Sequence, residues 1–306
     1  MGSGSTRKIL WYGVGAFWLL DALLQMQPHM FSSDLVTSIM MPNAFNQPKW
    51  VTDSIDWMLN LLITHNLALF NWFIAVIQLV IGALILTGYR RRWGTLGLWL
   101  SLIWGVGVWY FGEGLGTILT GQSTYLTGGP GSVVLYMAIA IILLLPKNIW
   151  HDRTGQRPLE ILRNTLVGLW CIGAVLQALP GFWTHHGLWT QIYGSAVMTP
   201  QSWVTAPIYA VAHLTLYHTA LWNLLFIVIM LLEAAGLWFR WGPWFYWASG
   251  LWLIFMFWIG ENLGMILSGI TTDLNTAPLW ALMMWPLYRE SVRLHRPLTS
   301  HIHLLD

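Results

Sequence analysis

The apolar character of this chain recurs along its whole length instead of being confined to one segment. Only 8% of the residues are charged, against about 25% in an average soluble domain, so polar side chains are too few to coat a water-soluble globule. A helix needs about 20 apolar residues to cross the hydrocarbon core of a bilayer. The sequence therefore predicts an all-α integral membrane protein with eight transmembrane helices, near 9–27, 64–88, 93–111, 130–146, 163–180, 212–239, 243–260 and 276–288.

The second half of the sequence repeats the first. Residues 112–130, GEGLGTILTGQSTYLTGGP, align without a gap with residues 260–278, GENLGMILSGITTDLNTAP. The stretch Trp-Val-Thr at 50–52 recurs at 203–205. Because apolar bias alone hardly produces several polar identities in one order, we interpret the chain as a tandem duplication. The predicted four-helix repeats are residues 1–150, here called the first copy, and 151–306, the second copy.

Each copy contains four predicted spans, an even number, so both copies insert in the same orientation. This predicts a pseudo-twofold axis along the membrane normal. Lysine and arginine lie before the first span, in the even-numbered loops and in the tail after the eighth span, with Lys49 as the exception. The positive-inside rule then predicts a multi-pass protein of the cell (plasma) membrane with both termini cytoplasmic and the two repeated loops facing outward. A net charge of +2 does not indicate a nucleic acid partner, so the predicted surroundings are the lipid bilayer and other protein subunits.

Each repeated loop begins with a glutamate, Glu113 in the first copy and Glu261 in the second. One interpretation is structural: the carboxylate caps the next helix or accepts hydrogen bonds from amides of the glycine-rich turn. The other is catalytic, because an acid in an outward-facing cavity has a raised pKa and can transfer protons. For Glu113 we predict that the turn after it folds back to supply amide donors while one face stays open to the cavity.

Two histidines open the second and sixth spans on the same outward side, His65 and His218. We predict that each lies in one outer layer with the glutamate of its own copy and faces the protein interior. Together with Glu113 and Glu261 they would form a ligand set for a transition metal, and the two imidazoles alone would suit a haem b. A helix cap or a hydrogen bond at the membrane interface is the structural alternative for each histidine. The single cysteine, Cys171, excludes a disulfide or a multi-cysteine metal site within the chain.

Tryptophans inside the predicted spans offer flat apolar surfaces. Trp72, Trp104 and Trp252 are candidates to line a slot for a quinone ring, with ordinary packing as the alternative. Amides at matching positions of the two copies are expected to hydrogen-bond between helices: Gln25 and Asn71 in the first copy, Gln177 and Asn223 in the second.

The layout of each copy resembles the DoxX-like family of membrane proteins, which includes the DoxD subunit of thiosulfate:quinone oxidoreductase. The stretches that carry the resemblance are LLDALLQMQP, the loop containing NQPKWV, and GEGLGTILTGQSTYLTGGPG. The resemblance implies a small four-helix membrane unit, here duplicated, and a role in quinone-linked sulfur oxidation. It transfers no catalytic motif onto the paired histidines and glutamates.

Three functions are compatible with these patterns. The first is a membrane subunit of a quinone-linked redox complex, in which the outward His/Glu layer handles protons or electrons from a membrane or extracytoplasmic partner subunit. The second is a transporter or metal-handling protein that uses the same layer as a binding site. The third is a scaffold subunit without a ligand of its own.

Overall fold

A computed structural model describes residues 3–150 and 156–295, apart from the side chains of residues 3, 64 and 65. Part of the basic fourth loop, 151–155, and the basic tail from 296 lie outside the described residues. The described part is helical, without β-strands. Its α-helices are α1 (Ser3–Leu24), α2 (Lys49–His65), α3 (Leu67–Thr87), α4 (Arg92–Gly107), α5 (Ser132–Leu144), α6 (Lys147–Trp150), α7 (Gln156–Gln177), α8 (Gly187–Ala196), α9 (Ser202–Tyr217), α10 (Thr219–Trp238), α11 (Pro243–Phe255) and α12 (Ala277–Leu294).

Four of the described helical segments are long and apolar enough to cross a membrane: α3, α4 with its extension to Gly112, α7 and α10. A fifth results if α11 and the bent segment Asn262–Ser268 count as one span. Helix α5 is apolar but has only 13 residues, and α1 and α12 carry charged residues. The all-α prediction is thus confirmed for the described residues, and four or five of their helical segments could cross a membrane by length and composition.

The helices follow one another in the same order in both copies. Helices α1, α2, α3, α4 and α5 correspond to α7, α9, α10, α11 and α12. Helix α1 packs along α3 as α7 packs along α10. The Gln25 amide donates to Asn71 Oδ1 at 2.5 Å, and the Gln177 amide donates to Asn223 Oδ1 at 2.7 Å, which confirms the expected hydrogen bonds. Helices α1, α5, α7 and α12 contact one another across the two copies, around one continuous apolar core.

The two repeated loops have the same backbone conformation. A π-helical turn, Val108–Gly112 or Met256–Gly260, extends α4 or α11, and the 3₁₀ segments Gly114–Thr120 and Asn262–Ser268 follow. Each 3₁₀ segment contains four consecutive residues, 114–117 or 262–265, with φ between 51° and 65°. Residues that carry a side chain rarely adopt this region of φ. Because the same conformation recurs in both loops, the surrounding contacts must enforce the turn.

Two glycines of the first loop allow a matched test of this turn. Both have positive φ, but a Cβ at Gly116 would lie 1.8 Å from the Pro130 carbonyl oxygen, whereas a Cβ at Gly121 meets nothing within 4 Å. We expect Gly121→Ala to lower the free energy of unfolding by about 1 kcal/mol, the usual conformational penalty. Gly116→Ala adds a backbone clash and is expected to cost about 3 kcal/mol. Thermal unfolding of the detergent-solubilised variants measures both; equal losses would contradict the loop geometry.

Candidate functional site

Glu113 and Glu261 each cap the helix that follows their loop. The Glu113 carboxylate accepts hydrogen bonds from the Ser132 hydroxyl at 3.0 Å and the Val133 amide at 3.3 Å, at the start of α5. Glu261 accepts from the amides of Thr276 at 3.1 Å and Ala277 at 3.1 Å, and from the Thr276 hydroxyl, at the start of α12. The capping interpretation is confirmed. The donors, however, come from the next helix and not from the glycine-rich turn, because a helix start leaves amides without partners.

The two glutamates differ in how completely they are satisfied. Glu261 is 1% exposed, and both of its oxygens accept hydrogen bonds. Within the described residues, Oε2 of Glu113 is buried without a hydrogen-bond partner. Burial, and secondly the charge of Asp273, raise the pKa of the Glu113 carboxyl to about 8. Glu113 therefore carries a proton at neutral pH and has an oxygen free for another group.

The tips of the two loops cross to the opposite copy. Tyr125, in the first loop, is fully buried against Trp170 of α7 and Trp280 of α12, with ring centroids 5.9 and 5.5 Å apart. The gap-free alignment pairs Tyr125 with Asp273 of the second loop. Asp273 lies beside the first copy, where its charge acts on Glu113 and Asp21. At equivalent positions of the two loops, Tyr125 thus packs into the second copy, whereas Asp273 approaches the first copy.

The first copy encloses a cavity of about 330 Å³, here called the chamber, between α1, α3, α4, α5 and the tip of the second loop. Its walls are mainly apolar, with Met58, Phe70, Phe73, Val108 and Phe111 among them. The polar side chains that line it are Asp21, Gln25, Gln78, Trp104, Glu113, Ser132, Tyr136, Thr272 and Asp273. An apolar pocket of this volume with a few convergent polar groups is typical of a small-molecule site.

Several polar atoms of the chamber are buried without a partner. Gln25 is 1% exposed and Gln78 5%, and among the described residues neither Oε1 accepts a hydrogen bond. Asp21, 2% exposed, accepts from the Tyr136 hydroxyl at 2.6 Å through Oδ2, while its Oδ1 has no partner in the described part of the chain. Buried polar groups are nearly always hydrogen-bonded in folded proteins. Their convergence on one cavity therefore indicates a ligand with polar atoms.

The corresponding region of the second copy is filled by aromatic side chains. Trp170 and Trp280 stack at 4.5 Å, and the Tyr125 ring lies so close to Gly173 that a Cβ there would come within 2.7 Å of it. Phe255 stacks on Trp252 at 5.3 Å. Trp170 and Trp252 have tryptophan counterparts, Trp18 and Trp104. The copies differ at other positions around the chamber: Ser132 is opposite Trp280, Gly107 opposite Phe255 and Asp21 opposite Gly173, while Asp273 of the second loop is opposite Tyr125 of the first. The two copies thus share the order of their helices and differ in their interior.

Two further cavities adjoin the chamber. A groove on α2 and α3, lined by Leu61, Leu62, Leu69, Trp72 and Val76, shares Phe70 and Phe73 with the chamber and is almost wholly apolar. A polar cavity of about 360 Å³, here called the vestibule, shares Glu113, Ser132, Thr272 and Asp273 with the chamber. Its other polar side chains are Ser38, Asn43, Thr117, Gln122, Thr124, Thr127, Gln191, Thr271 and Asn275. The chamber therefore lies between an apolar groove and a polar one.

The three candidate tryptophans have different environments. Trp104 lines the chamber, and among the described residues its buried Nε1 has no acceptor. Trp72 lies in the apolar groove, 48% exposed, and Phe73 separates it from Trp104, against which the Phe73 ring packs edge-on at 5.7 Å. Trp252, the counterpart of Trp104, packs on Phe226 and Phe255 and borders a surface groove of the second copy.

Of the two candidate histidines, the one whose side chain is described, His218, does not line the chamber. His218 is exposed between α9 and α10, so the prediction that it faces the interior is wrong: it occupies the surface turn that joins two helices. His65 ends α2, and its side chain lies outside the described set. Among the described residues no three His, Cys, Asp or Glu side chains are grouped as metal ligands. A metal or haem b at His65, His218, Glu113 and Glu261 remains a prediction from the sequence.

Asp21, Gln78 and Asp273 are polar residues of the chamber that were not among the sequence candidates for a functional site. Asp21 was visible as an acid within a predicted span, but it lacks a counterpart in the second copy. Gln78 is replaced by a methionine, Met230, and Asp273 by Tyr125. The available signal was therefore a mismatch between the copies, not an identity.

No protein-family model, curated protein or solved structure matches the chain.

Proposed function

We propose that the protein is the quinone-binding membrane subunit of a quinone-linked redox complex, with the chamber of the first copy as the site. The observation that carries this proposal is the position of an apolar cavity, lined by buried polar atoms without partners, between an apolar groove and a polar vestibule. A molecule that is dissolved in lipid and exchanges protons with water needs access to both environments. The resemblance to the DoxX-like family agrees with this role.

The chamber residues fit both redox forms of a quinone. The oxidised form accepts hydrogen bonds, and the chamber provides donors at Trp104 Nε1 and at the protonated carboxyl of Glu113. The reduced form donates through two hydroxyls, and Gln25 and Gln78 provide free acceptor oxygens. A bound quinone would supply the redox chemistry, taking up two electrons from the redox centre of a partner protein and two protons at its oxygens.

The residues of the chain have separate roles in this proposal. Phe73 and Trp104 bound the apolar part of the chamber, where a flat ring is excluded from water. Glu113 holds a proton at Oε2 and is itself fixed by Ser132 and Val133. Asp21 is oriented by the Tyr136 hydroxyl and presents Oδ1. The hydrogen bonds by which Glu113 caps α5 thus also fix the position of its carboxyl group.

The topology proposed with this function is eight spans in two parallel four-helix copies, related by a pseudo-twofold axis along the membrane normal. Both termini are cytoplasmic in this arrangement, within a cell membrane, and the vestibule opens outward. The support is the gap-free pairing of the two loops and the distribution of basic residues. Labelling of cysteines introduced at positions 122 and 270 tests the orientation, and accessibility from the cytoplasmic side would contradict it.

Binding measurements on the purified chain distinguish the proposed function from the alternatives. We expect decylubiquinone to bind at about one molecule per chain, because aromatic rings fill the second copy. Tetraphenylphosphonium, a lipophilic cation, is expected not to displace it. Binding of the cation without binding of the quinone would instead support a transporter of organic cations. Binding of neither compound would support a scaffold subunit.

Replacement of Trp104 by phenylalanine is expected to weaken decylubiquinone binding about fivefold to tenfold. The change keeps an aromatic wall but removes the Nε1 donor, and one hydrogen bond is worth about 1 kcal/mol. Trp252→Phe is the matched control, because Trp252 occupies the corresponding position in the filled copy. This substitution is expected to leave the affinity for decylubiquinone unchanged. Equal effects of the two substitutions would contradict the assignment of the site to the first copy.

A further inference from the structure

The connection between the vestibule and the chamber has a consequence for proton movement. The two cavities share the carboxyl groups of Glu113 and Asp273, and the hydroxyls of Ser132 and Thr272. Asp273 comes from the second loop, so the site in the first copy is completed by the second copy. Both carboxyl groups are held at fixed positions. Glu113 is bound by Ser132 and Val133, and Asp273 accepts from the Asn275 amide at 2.5 Å and the Thr272 hydroxyl at 3.0 Å.

We propose that the vestibule is the proton path between water and the chamber, with Asp273 as its outer carboxyl group and Glu113 as its inner one. This rests on the proposed function for the identity of the ligand, but the path itself is a property of the two cavities. Each proton that the ligand takes up at Glu113 is replaced from the vestibule through Asp273, and the reverse transfer returns a proton to water. Quinone reduction by two electrons from the partner protein therefore consumes two protons from the vestibule side.

The other ionisable groups around these two carboxyls form the inner end of the chamber. They are Asp21 on α1 and Tyr136 on α5, joined by their 2.6 Å hydrogen bond. The charge of Asp273 acts on Asp21, Glu113 and Tyr136, and also on Glu261 of its own loop. Burial also raises the pKa of Asp273. Glu113 and Asp273 are the carboxyl groups that line both cavities, as a relay between water and the chamber requires.

Chemical labelling tests the path without redox turnover. A water-soluble carbodiimide with glycine ethyl ester reacts with protonated carboxyl groups that water reaches, and mass spectrometry locates the modified residues. We expect modification of Asp273 and Glu113 at pH 6.5, with labelling of Glu113 at least tenfold above that of Glu261. Glu261 is the internal control, because it is 1% exposed and both of its oxygens are hydrogen-bonded. Labelling of Glu113 by the membrane-soluble dicyclohexylcarbodiimide alone would overturn the path.

The pH dependence of labelling provides a second readout. Labelling of Glu113 is expected to decline as the pH rises through about 8. Asp273→Asn removes a nearby negative charge, so the midpoint is expected to move down by about one pH unit. Asp53→Asn, at an exposed aspartate paired with Lys49, is expected to leave the midpoint unchanged. An unchanged midpoint in Asp273→Asn would contradict the coupling of the two carboxyls.

Addition of decylubiquinone separates this proposal from the proposed function. Protection of Glu113 from labelling, with Asp273 still modified, supports both the path and the ligand. Labelling that decylubiquinone does not reduce would preserve the path and contradict quinone binding in the chamber. Unlabelled Glu113 in a protein that still binds decylubiquinone would contradict the path alone.

Discussion

Replacement of Glu261 by alanine is expected to lower the free energy of unfolding by about 3 kcal/mol or more. The substitution leaves the Thr276 and Ala277 amides and the Thr276 hydroxyl without their acceptor in a fully buried position. Each buried donor without a partner costs about 1–3 kcal/mol. Thermal unfolding of the detergent-solubilised protein, followed by tryptophan fluorescence, measures the loss. Glu261→Gln keeps an oxygen acceptor and is expected to be milder.

Glu113→Ala is the matched control at the corresponding position of the first copy. Its donors, Ser132 and Val133, lie where Glu113 borders both the chamber and the vestibule, so water can replace the lost acceptor. The expected loss is about 1 kcal/mol. A loss at Glu113 that equals the loss at Glu261 would contradict the division into a structural and an accessible glutamate.

The substitution Gly107→Phe is expected to weaken decylubiquinone binding by more than tenfold while the protein stays folded. Gly107 lines the chamber, and a Cβ added there meets no atom within 4 Å. Phenylalanine is also the residue of the second copy at this position, Phe255, whose ring packs on Trp252. The ring is therefore expected to occupy the chamber as it does in the filled copy. Equilibrium binding to the purified variant measures the loss.

A control for Gly107→Phe is Gly168→Phe on α7. Gly168 is an exposed helical glycine whose added Cβ also meets nothing within 4 Å, but it does not line the chamber. Both changes replace a helix-weakening glycine, so their effects on stability are expected to be similar. Unaltered decylubiquinone affinity in Gly107→Phe would place the ligand elsewhere.

The frame of the fold was accessible from the sequence because it rests on repeated identities. The paired amides Gln25–Asn71 and Gln177–Asn223 form the expected hydrogen bonds, and the glutamates that open the repeated loops occupy matching positions. A sequence alignment detects such features directly. The helical fold class was accessible from the apolar runs, because several described helices are long and apolar enough to cross a membrane.

The interior of each copy was not accessible in this way. The alignment pairs Tyr125 with Asp273, but only the three-dimensional arrangement shows that each loop tip approaches the opposite copy. The chamber therefore depends on contacts between distant segments, such as Tyr125 with Trp170 and Trp280. His218 illustrates the opposite error: a polar residue at a span boundary was expected inside and lies at the surface.

Photo-crosslinking with an azidoquinone tests most directly whether the chamber of the first copy is the ligand site. The purified full chain is irradiated with the reagent, with or without excess decylubiquinone, and the modified peptides are identified by mass spectrometry. If the chamber is the site, crosslinks that excess decylubiquinone suppresses are expected in its walls, on α3, α4 and the start of α5. These crosslinks are expected to be lost in Gly107→Phe. Competed crosslinks confined to α10 and α11 of the second copy, or crosslinks that excess decylubiquinone does not reduce, would contradict this location of the site.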